Sequence, residues 1–195
     1  METMTTSIIL PFLVFFPFLG AVISYIIGRS NKGARDIWCW ILSAVIFIAS
    51  LMLIGKETVY SLRGFCGLGL SFAADGFGVI LAVLTGAIWL ITTIFSKEYM
   101  AAERNRNRYY FFVFLTLGAT MGIFLSADLF TTFIFFEIMS FTSFVLVMHD
   151  EEDFTVRSAK TYLAVAVIGG LVTLMGLFMM YQKACRFHDE KIAND

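Results

Sequence analysis

A chain of 195 residues that is 59% hydrophobic and 15% charged, with 22 Phe, is more apolar than a soluble domain, which is nearer half apolar and a quarter charged. The net charge of −1 leaves no basic excess for nucleic acid, and the run Arg104, Arg106, Arg108 sits between apolar blocks, as a membrane-flanking loop does. Mean hydropathy is +0.83, and the apolar residues come in the long unbroken blocks that a bilayer requires.

Six blocks are long enough, or nearly so, to cross about 30 Å of hydrocarbon. They predict an all-α integral membrane protein with helices over 8–28, 37–54, 76–95, 109–125, 129–148 and 162–181, and a polar tail over 182–195. Helices are preferred to a barrel because the blocks lack strict alternation. The first helix follows Met1 to Ser7, which carry no Lys or Arg, and contains Pro11 and Pro17; it reads as a retained span, not a cleaved signal. Small residues recur four apart on it, at Gly20, Ser24 and Gly28, and on helix 3 at Gly78, Ala82 and Gly86. Gly118 and Gly122 on helix 4, and Ala166 and Gly170 on helix 6, repeat the spacing, which lets helix backbones approach in lipid. Asp75 before helix 3 and Asp128 before helix 5 are expected N-caps, and Ser126-Ala127-Asp128 makes helices 4 and 5 a tight hairpin.

Orientation follows from Lys and Arg. The first, third and fifth loops carry nine (Arg29, Lys32, Arg35; Lys97, Arg104, Arg106, Arg108; Arg157, Lys160). The other side has five: Lys56, Arg63 and, in the tail, Lys183, Arg186 and Lys191. A multi-pass protein of the cell membrane with both termini extracytoplasmic is expected.

Cys39, Cys66 and Cys185 form no CxxC pair, so a metal or cluster site is not expected. His149 and His188 lie outside the apolar cores, so no pair of haem ligands is expected. No phosphate-binding GxxxxGK, HExxH or GxSxG occurs, and neither a cofactor nor catalytic chemistry within the chain is expected.

The candidate functional residue is Glu137, near the middle of helix 5. A carboxylate at mid-membrane costs roughly 2.5–3.5 kcal/mol on an insertion scale, a cost that persists for function or for a specific structural pair. At 100° per residue, Phe130, Phe133, Phe141 and Phe144 flank it, with Ser140 the nearest polar side chain on that face. A carboxyl so placed is a candidate proton carrier; the alternative is a protonated Glu bonded to a neighbouring helix. Asp128 is either a cap or a point of proton uptake. Lys160 either snorkels to the interface or turns inward toward Glu137. His149, followed by Asp150, Glu151, Glu152 and Asp153, is either a proton-collecting mouth or part of a solvated loop.

The stretch Ser126-Ala-Asp128-Leu-Phe-Thr-Thr-Phe-Ile-Phe-Phe-Glu137-Ile-Met-Ser140 resembles the fifth-helix region of the antiporter-like subunits shared by respiratory complex I, Mrp-type Na+/H+ antiporters and membrane-bound energy-converting hydrogenases. Asp75-Gly76 and Ala159-Lys160 resemble the family's entries to the third and sixth helices. The resemblance implies that Glu137 belongs to a proton or Na+ pathway that works with a lysine on a later, broken helix, and that energy comes from redox partners or an opposing gradient. Full members have about fourteen helices in two inverted five-helix repeats, and the broken helix has no counterpart here. The expectation is therefore an antiporter-like subunit or its N-terminal part: a split half, a truncated product or a reduced relative. Its partners would be lipid and other membrane subunits, including a chain that supplies the later helices. A structural or assembly subunit and a small independent transporter are the other readings.

Overall fold

The computed structural model describes residues 5–6, 8–62, 69–102, 105–149 and 153–194. The acidic run Asp150 to Glu152, together with Arg63, Cys66 and Arg104, lies outside the described residues, as do the side chains of Cys185, His188 and Lys191.

Short strand β1 (Thr5–Thr6) leads into helix α1 (Ile9–Ser30). Asn31 breaks the helix and caps the next one, accepting from the amides of Gly33 and Ala34, so α2 (Lys32–Leu51) starts five residues ahead of the expected boundary. Strands β2 (Thr58–Leu62) and β3 (Leu70–Ala74) follow, then α3 (Gly76–Tyr99), a 3-10 turn (Met100–Ala102), α4 (Arg106–Phe124), α5 (Leu129–Val147) and α6 (Asp153–Asn194). The six expected helices are all present. Among the described residues, five are long and apolar enough to span a membrane, and α4 packs among them against α1, α3 and α5. The chain is a multi-pass membrane protein.

α4 is the central helix. Ten of its residues are buried, from Tyr110 to Gly122, so it presents no lipid-facing stripe and tolerates polar and small residues. Its glycines are the contact points. A Cβ at Gly118 would meet the Phe18 ring at 2.7 Å and the Val14 carbonyl at 3.0 Å, and one at Gly122 would overlap the Phe135 ring. The other small-residue rows serve likewise: Gly20 faces Leu42, and Gly86 faces Phe47 and Ser50. In lipid, where apolar burial does not drive helices together, such close approach supplies the packing.

At one end the strands form a small sheet in the order β1-β2-β3, with β1 parallel to β2 and β2 antiparallel to β3. The α4–α5 hairpin joins its edge: Ala73 N–H donates to the Leu125 carbonyl and Ala127 N–H to the Ser71 carbonyl, both at 2.8 Å. Phe72, fully buried, plugs the bundle beneath the sheet against Phe15 and Phe135. The three basic linkers meet at the opposite end, where Arg35 reaches Asn107 and Arg108 reaches the His149 carbonyl.

α6 differs most from expectation. One helix covers both the segment expected at 162–181 and the tail, 42 residues or about 63 Å at 1.5 Å per residue, twice a hydrocarbon core. Among the described residues it packs chiefly against α5. Among its residues of described burial, only Ala159 and Gly170 are fully buried.

Candidate functional site on α5 and α6

α5 is set in place at its N-terminus. The Asp128 carboxylate accepts from the Thr131 amide and from the Thr131 hydroxyl, both at 2.7 Å. The same hydroxyl accepts from the Ser71 amide at 3.1 Å, so one aspartate starts the helix and fixes it to β3. Both Asp128 oxygens are thereby occupied by the cap. Asp75 caps α3 in the same manner, accepting from the Gly78 amide at 3.0 Å.

Glu137 falls at the centre of α5, where α6 crosses it at Gly170. A Cβ on Gly170 would lie 2.5 Å from Oε1 and 2.7 Å from Oε2 of Glu137. The carboxyl group therefore rests on the bare backbone of α6, where any side chain would push it aside. Oε1 is buried and has no hydrogen-bond partner among the described residues. Ser140, expected as the nearest hydroxyl, instead donates to the Phe136 carbonyl at 3.0 Å. The hydroxyls of Thr116 and Thr142, 3.0 Å apart across the α4–α5 seam, are likewise satisfied by each other and by their own helices. The result is a carboxyl held in position with unused hydrogen-bonding capacity, facing a helix whose far side is open. An unpaired buried acceptor costs about 1–3 kcal/mol. A hydrogen-bond donor placed against this oxygen would relieve that cost.

The other candidates lie apart from it. Lys160 is exposed on α6, ten residues from Gly170 and hence about 15 Å away along the axis; no ion pair joins it to Glu137 among the described residues. His149 is half-buried at the basic end, its ring 5.8 Å from that of Tyr109, and is about 18 Å along α5 from Glu137. The Glu137–Gly170 contact was foreshadowed only by the Ala166/Gly170 spacing, which marks a helix contact without naming what it meets.

A second polar centre has no precedent in the sequence reading, which placed Arg35 in a loop. Arg35 is fully buried. It binds Asp36 at 2.7 Å, hydrogen bonds Asn107 and lies 4.7 Å over the Tyr110 ring. Arg106 reaches the other Asp36 oxygen at 3.5 Å. Adjacent Arg and Asp at a helix start look like solvated charge until α4, seventy residues away, and Gly28 of α1 close over them.

Comparison with known proteins bears on this arrangement. Residues 126–194 match the family model described as NADH:quinone oxidoreductase/Mrp antiporter, TM. The "Putative antiporter subunit mnhD2" of Staphylococcus aureus (strain JH9) is 28% identical over 187 residues, covering 92% of this chain and 36% of the relative. In fold, the chain is similar to one in the membrane-bound sulfane sulfur reductase, an archaeal respiratory membrane complex (TM-score 0.81, 16% identity, 90% of this chain and 37% of that one). It is also similar to a chain of the Mrp complex from Dietzia sp. DQ12-45-1b (TM-score 0.76, 20% identity, 85% of this chain and 18% of that one). The fold is that of an antiporter-like membrane subunit. The family match begins at the hairpin and includes Asp128, Glu137, Lys160 and Gly170, and the fold likeness covers 90% of the chain. The chain spans about a third of the length of the curated relatives it matches.

Proposed function

We propose that this chain is an antiporter-like membrane subunit, or a part of one, that conducts protons or Na+ within a larger membrane assembly, and that Glu137 is its ion-binding carboxyl. The observation that carries the proposal is the placement of Glu137: mid-helix, pressed on Gly170, with a buried oxygen that has no hydrogen-bond partner among the described residues. A carboxyl at mid-membrane is expensive, and expense of this kind marks ion pathways. Lys160 acts as a modulator from the basic end of α6, not as a direct partner. His149 lies where an entry from that end would open. Asp128 is assigned to the cap, because both its oxygens already serve α5.

The basic end faces the cytoplasm by the excess of Lys and Arg there, which puts the small sheet and the end of α6 outside. The exposed side of α6 receives a further membrane chain that carries the later helices, including the lysine that the family resemblance pairs with the glutamate. A structural role is the second reading. It draws on the absence of any cation beside Glu137 among the described residues.

Ion-coupled flux in the native assembly separates the two. With Glu137→Gln, the proposal expects flux to disappear while the subunit still inserts and co-purifies; full flux would leave Glu137 a packing residue. Mass spectrometry of what co-purifies in mild detergent tests the partner, with recovery of the chain alone counting against it.

A further inference from the structure

α6 changes character at Gly169-Gly170. Its first half is seated on the bundle, with Ala159 and Gly170 buried and Leu163 and Ala166 half-buried along the same seam. Beyond Gly170, no residue of described burial is buried. There the helix faces α5 across an apolar cleft of about 460 Å³, with Leu174, Leu177 and Phe178 on one wall and Leu129 and Phe130 on the other. Packing accounts for one glycine of the pair. Gly170 makes room for the Glu137 carboxyl, whereas a Cβ at Gly169 would meet nothing within 4 Å among the described residues. Glycine inside a helix weakens it, so Gly169 softens α6 without serving a contact. Four residues on, exposed Thr173 donates its hydroxyl to the Gly169 carbonyl at 2.9 Å. That carbonyl keeps a partner when the helical bond to it opens.

We propose that Gly169-Gly170 is a hinge about which the second half of α6 closes onto the first turns of α5, and that this swing sets the access to Glu137. Helices bend at glycine and where a Ser or Thr hydroxyl bonds the carbonyl four residues back. In lipid, such a hydroxyl satisfies a backbone group that bending releases. The cleft supplies both the room and the gain: closure brings its apolar walls into contact, and close packing is what joins helices in a bilayer. A bend of about 20° at Gly170 carries Tyr181, eleven residues or about 16 Å further along, by roughly 6 Å. Glu137 lies at the pivot, so the bend alters the cover of its carboxyl while the seam from Ala159 to Gly170 stays in place. The gating role rests on Glu137 being the ion-binding carboxyl; the hinge itself does not.

The test is the distance between nitroxide labels, read by pulsed electron resonance on the full chain in lipid nanodiscs, with Cys66→Ala and Cys185→Ala and the buried Cys39 left in place. Phe77→Cys and Met179→Cys put the labels at exposed positions outside the cleft. They should give two distances differing by up to roughly 6 Å. Phe77→Cys with Val165→Cys, on the seated half of α6, should give one. Thr173→Val keeps the shape but removes the hydroxyl, and should reduce the bent population about tenfold; Thr173→Ser should restore it. Thr173 is exposed, so both variants leave the packing of the chain intact. In the native assembly, Thr173→Val should slow ion-coupled flux severalfold. A single distance between positions 77 and 179, two distances that Thr173→Val leaves unchanged, or an equal spread in the Val165 pair would overturn the hinge. Distances that respond to Thr173→Val while flux does not would overturn the gating role. Full flux from Glu137→Gln with both distances intact would instead remove Glu137 from the ion path and, with it, the gating role, leaving the hinge standing.

Discussion

Replacing Gly170 with Ala perturbs Glu137 without altering its chemistry. The added Cβ would stand 2.5 Å from Oε1, where ordinary contact begins at 3.4 Å. The carboxyl must therefore retreat by roughly 1 Å, and a displacement of that size at a reacting group can cost on the order of a hundredfold in rate. The stability cost should be small. The obstructing atoms are the far end of a flexible side chain, overpacking costs about 1–3 kcal/mol, and Ala in place of Gly returns up to about 1 kcal/mol of helix propensity. Gly169→Ala is the internal control, because nothing lies within 4 Å of a Cβ there. The assay is ion-coupled flux by the purified assembly in proteoliposomes, alongside thermal unfolding of each variant. Gly170→Ala should lose about two orders of magnitude of flux with a nearly unchanged Tm, and Gly169→Ala should match wild type. Wild-type flux from Gly170→Ala would refute the argument that carboxyl position matters, as would an equal loss from Gly169→Ala.

Asp128→Ala removes an N-cap and the tie to β3 through Thr131; thermal unfolding should show a loss of about 1–2 kcal/mol, with the flux of each correctly inserted chain retained. Gly122→Ala drives a methyl into the ring of Phe135, which is buried beside Phe72; overpacking should cost about 1–3 kcal/mol, read as a lower Tm in detergent. Asp36→Asn leaves the buried Arg35 guanidinium without its acid and should destabilise by about 3–5 kcal/mol, seen as poor recovery of monodisperse protein, whereas Arg35→Met with Asp36→Leu should recover much of the loss.

The helices could be read from the sequence because each is a continuous apolar block with its own local punctuation. Asp128 and Asp75 announce α5 and α3 by standing just before them, and the structure shows both carboxylates accepting from the first turn. Gly118 and Gly122 could be recognised as close contacts, though not which rings they would meet, since Phe18 and Phe135 approach from different helices. What escaped the reading depends on distant partners. β2 and β3 are five residues each, and much of their pairing is to each other and to the α4–α5 hairpin. Arg35 and Asp36 are ordinary surface charges until Asn107 and Arg106 cover them. The tail after Tyr181 is polar, which suggested a separate segment, but helical hydrogen bonding needs no apolar face and α6 continues to Asn194. Glu137 was evident as an oddity in its block. That it rests on Gly170 follows only from the packing of α5 on α6.

The most direct test of the central claim is to treat the native assembly with dicyclohexylcarbodiimide, which adds to protonated carboxyls in apolar surroundings, and to map the modified peptide while following ion-coupled flux. The account predicts that Glu137 is modified, that flux falls in proportion to its modification, and that Glu137→Gln removes the label. Flux that survives complete modification of Glu137, or a Glu137 that never reacts while flux is lost, would contradict it.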